Sequence, residues 1–104
     1  MLSVASWVGR PGWPGYAASK AAAWSLTSAL REGLRDQGTQ VVAVHAGFVE
    51  TDLASWVDAP KIAPEDVAQQ TMHALLENRV EVLTDERTRE VKANLCRPLD
   101  AEAP

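Results

Sequence analysis

Cysteine, histidine, long apolar runs and basic patches are all scarce here, and each shortage removes a class of protein. Of 104 residues only Cys96 is a cysteine, so no intrachain disulfide is possible. A reducing cytoplasm is the expected setting, and no motif around Cys96 suggests catalysis. His45, His73 and that thiol lie too far apart for metal-ligand spacing, so no metal is expected. The longest apolar stretch, Ala17 to Leu30, is broken by Ser19, Lys20, Ser25, Thr27 and Ser28 and cannot span a bilayer. Nor do the first residues read as a secretory signal. Ten Lys and Arg against fourteen Asp and Glu, interspersed, leave a net charge of -4 and argue against nucleic acid or anionic membrane as partners. A glycine-rich phosphate loop is missing too. Gly9, Gly12 and Gly15 sit in a Pro-containing loop and read as turn residues.

What is present is 46% hydrophobic content, ordinary for one small globular domain, and one constellation with chemistry in it. In the run Tyr16-Ala-Ala-Ser-Lys20 the four-residue spacing puts a phenol and an ammonium on one helical face. A cation one turn away favours the phenolate. Ser3, thirteen residues before Tyr16, supplies a hydroxyl that can orient a carbonyl or alcohol, and Ser3, Tyr16 and Lys20 together form a candidate active site. Ser6, ten residues before Tyr16, is the alternative hydroxyl. By spacing alone, such a Tyr and Lys are more often a solvated pair.

The surrounding residues change that balance. Ser3-Val-Ala-Ser6, then Gly9, Pro11, Gly12, Pro14, Gly15 and Tyr16-Ala-Ala-Ser-Lys20-Ala-Ala, resembles the active-site stretch of the short-chain dehydrogenase/reductase family. His45-Ala-Gly-Phe-Val-Glu-Thr51-Asp-Leu is similar to the family's loop after its sixth strand, where Asn and Pro are usual in place of His45 and Ala46. The resemblance runs from Met1 to about Leu83. It implies an α/β chain, the C-terminal half of a Rossmann-type doubly wound parallel sheet with about three strands and two to three helices. Residues 1–96 would be a partial domain lacking the cofactor-binding first half, and 97–104 a flexible tail.

By the same resemblance the cofactor is NAD or NADP, its site incomplete in this chain, and the reaction is hydride transfer between a secondary alcohol and a ketone. Tyr16 would exchange a proton with the substrate oxygen. Lys20 would assist it and hold the nicotinamide ribose, and Ser3 would hydrogen-bond the substrate oxygen. Tyr16, Lys20, Gly47, Val49 and Thr51 would contact the cofactor. The partners implied are a small-molecule carbonyl or alcohol and, in a complete protein, a second copy docked through helix 15–37. The isolated chain is expected to be inactive. The competing class is a non-catalytic remnant acting as a helix-mediated interaction module.

The elements follow from local chemistry. Met1 to Ser3 reads as the tail of a strand and Val4 to Pro14 as a loop. A helix runs from Gly15 to about Gln37 and stops at Gly38, with Ala18, Ala22, Ser25 and Ala29 as a stripe of small residues and Gly33 inside it. Gln40 to His45 is β-branched enough for a buried parallel strand. Ala46 to Ala63 reads as a long loop. Pro64-Glu-Asp opens a helix to about Asn78, Val80 to Leu83 is a third strand, and Asp85 to Leu95 a last helix. Trp7, Trp13, Phe48 and Trp56 fall in the loops and are expected to line an apolar substrate pocket or cover a core. His45, ending a buried strand, is expected to be a hydrogen-bonded core residue, and His73 a helix-surface residue.

Overall fold

The computed structural model describes residues 1–49 and 61–102. Three α-helices, α1 (Pro14–Gly33), α2 (Pro64–Leu76) and α3 (Glu86–Ala93), alternate with short strands β1 (Ala43–His45), β2 (Phe48–Val49), β3 (Lys61–Ile62) and β4 (Glu81–Leu83). β1 pairs in parallel with β4, Val44 opposite Val82, and β2 pairs in parallel with β3. The N-terminal residues add a third line to the first sheet. Leu2 N–H donates to Val44 O at 2.7 Å and Val4 N–H to Ala46 O at 2.9 Å, a parallel ladder along the free side of β1.

The period of two along β1 decides which layer each residue serves. Val44 and its partner Val82 turn to α2 and form the core with Val67 and Ala74, flanked by Val42 and Ile62. His45 turns to the other face. It stacks on Trp7, which meets Trp24 of α1 edge-on, while Lys92 of α3 lies over both indoles and pairs with Glu81. The sheet is thus covered by α2 on one side and by α1 and α3 on the other. Arg31, in the last turn of α1, donates to Val41 O and Val80 O and ties that helix to the starts of β1 and β4.

Two boundaries differ from the sequence expectation. The first helix ends at Gly33, and Arg35–Gln37 continue as a tighter 3₁₀ turn before Gly38 closes it with φ 76°. Glycine's low helix propensity at the end of the last α-turn accounts for the change of pitch, and the left-handed stop is where the sequence placed it. The segment read as a long loop begins and ends in β2 and β3, two residues each, a length at which alternation gives no signal. Asn78, φ 56°, takes the left-handed position after α2, and Asp85 caps α3 by accepting Thr88 N–H at 2.8 Å. Leu99–Glu102 form a 3₁₀ turn within the expected tail. Among the described residues no helix is long and apolar enough to cross a membrane.

Candidate active site

The segment after Leu2 leaves the ladder at Val4 and winds into a 3₁₀ turn, Val4–Ser6, because Ser3 caps it: Ser3 Oγ accepts Ala5 N–H at 3.0 Å and Ser3 O accepts Ser6 N–H at 3.0 Å. Ser3 is buried. With one of its oxygen lone pairs taken by Ala5 N–H, the hydroxyl keeps its hydrogen to give. Pro14 opens α1 with its φ already helical, and Tyr16 and Lys20 then fall one turn apart. Lys20 Nζ stands 5.7 Å from the centre of the Tyr16 ring and donates to Met1 O at 3.5 Å. This bond links the helix that carries Tyr16 to the segment that carries Ser3, and α1 packs on the 3₁₀ turn. Tyr16 is 52% exposed, and among the described residues its hydroxyl makes no hydrogen bond.

Beside this arrangement an open groove of about 580 Å³ runs between the 3₁₀ turn and α1, lined by Ser6, Trp7, Arg10, Pro14, Ala17 and Ala21 among others. Ser6 Oγ is buried without a partner among the described residues.

The expected cofactor and pocket residues fall in different settings. Gly47 has a physical reason to lack a side chain: a Cβ there would stand 3.0 Å from Asp85 Oδ2, the free oxygen of the α3 cap. Val49 contributes backbone to β2. Thr51 and Trp56 lie outside the described residues. Trp13, at the N-cap of α1, is exposed, and Phe48 is exposed on β2 rather than on the loop the sequence suggested. Trp7 is a packing residue on one side, stacked on His45 at 4.0 Å with 22° between ring planes and meeting Trp24 at 5.6 Å, and it also lines the groove.

His45, read from the sequence as a core residue, is fully buried, its Nδ1 3.2 Å from Ser3 O. Burial holds its basicity below the ordinary imidazole value, opposed in part by the Ser3 carbonyl and by Glu81. Its tie to Ser3 could not be read from the sequence, because 42 positions separate the two. Lys92 was likewise missed, since nothing in an Arg- and Glu-rich helix marks one cation as the one that faces two indoles. His73 is exposed on α2. Among the described residues no group of His, Cys, Asp and Glu is placed to hold a metal.

Residues 1–61 match the family described as short chain dehydrogenase. An uncharacterized oxidoreductase of Staphylococcus saprophyticus is 36% identical over 63 residues, covering 58% of this chain and 27% of that protein. One of Staphylococcus aureus strain MRSA252 is 32% identical over the same length and coverage. The chain therefore spans about a quarter of the curated relatives it matches. The crystal structure of a short chain dehydrogenase from Burkholderia cenocepacia in complex with NADP superposes with a TM-score of 0.86 at 29% identity, covering 96% of this chain and 44% of that one. The fold is accordingly α/β, of the Rossmann type found in that protein.

Proposed function

Because the chain belongs to the short chain dehydrogenase family, we propose that it carries the acid/base and nicotinamide-side residues of an NAD(P)-dependent oxidoreductase that interconverts a secondary alcohol and a ketone. One observation carries this reading: Lys20, a turn from Tyr16 on α1, also reaches the backbone of the segment that holds Ser3. In the proposed reaction Ser3 donates its remaining hydrogen to the substrate oxygen and orients it. Tyr16, exposed and uncommitted, gives or takes the proton on that oxygen. The Lys20 ammonium stands beside the Tyr16 ring and spends one donor on Met1 O, which leaves two for vicinal hydroxyls. That donor set fits a ribose, and the dinucleotide, when bound, supplies or accepts the hydride. The neighbour crystallised with NADP supports the choice of a nicotinamide cofactor.

Gly47, Val49 and Thr51 belong to the same proposed cofactor side. Trp13 and Phe48, with Trp56, are the proposed apolar walls for a lipid-like, steroid-like or aromatic carbonyl. The competing reading, an interaction module, is favoured by the outer face of α1, where Ala18, Ala22, Leu26 and Leu30 are exposed. In a complete enzyme the same face is the proposed contact between two copies.

The test is Lys20→Ala in the chain completed by the cofactor-binding half that the resemblance implies, measured by NADPH titration and by turnover with a panel of aromatic ketones. An enzyme loses both affinity and rate in this variant, since one side chain serves ribose and phenol. In that completed protein, NADPH affinity equal in variant and parent, or no affinity in either, refutes the enzyme reading in favour of the module.

A further inference from the structure

We propose that His45 is a positioning residue for Ser3, its Nδ1–H holding the Ser3 carbonyl so that the turn presents the Ser3 hydroxyl in one orientation. The importance of that orientation rests on the reading of Ser3 as the group that meets the substrate oxygen.

The Ser3 carbonyl takes two donors, Ser6 N–H at 3.0 Å from within the turn and His45 Nδ1 at 3.2 Å from β1. A carbonyl oxygen only accepts, so the hydrogen sits on Nδ1 and a neutral ring carries none on Nε2. Nε2, an acceptor in that tautomer, is buried and meets no donor among the described residues. Nothing leaves the ring free to turn. Trp7 stacks on one face at 4.0 Å, and the backbone of His45 is held by Thr84 N–H donating to His45 O at 3.1 Å. Burial opposes protonation and keeps the ring neutral. Full burial also rules out His45 as a second acid/base, because no ring atom reaches a substrate from the solvent side.

The chain of contacts therefore runs from the sheet to the hydroxyl in three steps. β1 places His45, His45 fixes Ser3 O, and the turn so fixed lets Ala5 N–H hold Ser3 Oγ. Without the Nδ1 donor the Ser3 carbonyl keeps only Ser6 N–H, from within the turn itself, and its tie to the sheet is left to the neighbouring Val4 N–H on Ala46 O. The hydroxyl then samples orientations in which it does not meet the substrate oxygen, and a misplacement on the order of 1 Å costs up to about a hundredfold in rate.

Asparagine can present an N–H near the position of Nδ1, whereas glutamine presents one near Nε2, so His45→Asn and His45→Gln separate the donor from the bulk. In the ¹⁵N-labelled full chain the His45 ring is expected as the Nδ1–H tautomer, and an Nε2–H tautomer overturns the proposal without any variant. Exchange of the Ala5 amide is expected to quicken about tenfold in His45→Gln and to stay near the parent rate in His45→Asn. Equal rates in the two variants overturn it. In the chain completed by the cofactor-binding half, with NADPH and an aromatic ketone, His45→Gln should lose about ten- to a hundredfold in kcat with KM little changed, His45→Asn should recover most of it, and Ser3→Ala combined with His45→Gln should lose no more than Ser3→Ala alone. Losses that multiply show that His45 acts apart from Ser3, which sinks the proposal. If Ser3→Ala itself leaves turnover intact, the catalytic reading of Ser3 fails, and the tautomer and exchange measurements still decide whether His45 positions the turn.

Discussion

Replacing Tyr16 by Phe separates catalysis from stability more cleanly than any other change in this chain. The side chain is 52% exposed on the first turn of α1 and its hydroxyl has no hydrogen-bond partner among the described residues, so deleting the oxygen breaks no native bond. The ring stays, and with it the contact of the Lys20 ammonium 5.7 Å from its centre, since a phenyl face attracts a cation much as a phenol does. An exposed substitution of this kind moves stability by about 0.5 kcal/mol or less, which for a domain of this size shifts the Tm by only about 2–4 °C. The rate should respond on a different scale. Losing a positioned acid/base costs on the order of 10²- to 10⁴-fold, or about 2.7 to 5.4 kcal/mol at 1.36 kcal/mol per decade. In the chain completed by the cofactor-binding half that the resemblance implies, turnover followed by the absorbance of reduced nicotinamide, NADPH binding followed by fluorescence, and a thermal melt give the three readings on one preparation. A kcat within about threefold of the parent refutes the acid/base role. A Tm loss above about 10 °C alongside the rate loss shows instead that the phenol holds the fold.

Three further predictions concern the packing that holds the site. Lys92→Met should destabilise by about 1–2 kcal/mol, because the ammonium pairs with Glu81 at 2.7 Å and lies 5.3 Å and 5.8 Å from the centres of Trp7 and Trp24; an unchanged urea midpoint would mean that the clamp carries no energy. Gly47→Ala should cost about 1 kcal/mol by pushing on the Asp85 cap, and most of that cost should vanish in an Asp85→Ser background, where the cap is shorter; equal costs in both backgrounds contradict the steric account. Acid should weaken the fold through His45. Its folded value lies below the ordinary value of about 6.5, so between the two the unfolded chain binds the extra proton. The contribution is full above about pH 6.5 and is lost as the pH falls through the folded value. Glu81 eases the charging, while Lys92 and the N-terminus oppose it. Urea midpoints at about pH 7.5 and about pH 5.5 should converge in His45→Asn; a parent-like acid loss in that variant assigns the effect to other groups.

Much of this molecule was open to reading from the chain because the signals are local. Pro14 and Pro64 mark helix starts, Gly38 marks a left-handed stop, Asp85 a cap, and the four-residue interval from Tyr16 to Lys20 sets one face of α1. Each depends on contacts within about one helical turn, which sequence spacing encodes directly. The two-residue strands at Phe48–Val49 and Lys61–Ile62 were invisible for the opposite reason: a strand that short exists only because its partner lies beside it. The same holds for the N-terminal residues, whose ladder is made by β1 and not by their own propensity. The family was already carried by motif and interval, and the proposal of Ser3, Tyr16 and Lys20 as its site rests on the same signals. Tertiary structure alone decided that Trp7 packs on a histidine while also lining a groove, that Lys92 faces two indoles, and that His45 reaches the carbonyl of Ser3. These contacts join residues tens of positions apart, and only the closing of a parallel sheet under α1 and α3 brings them within hydrogen-bond and stacking range.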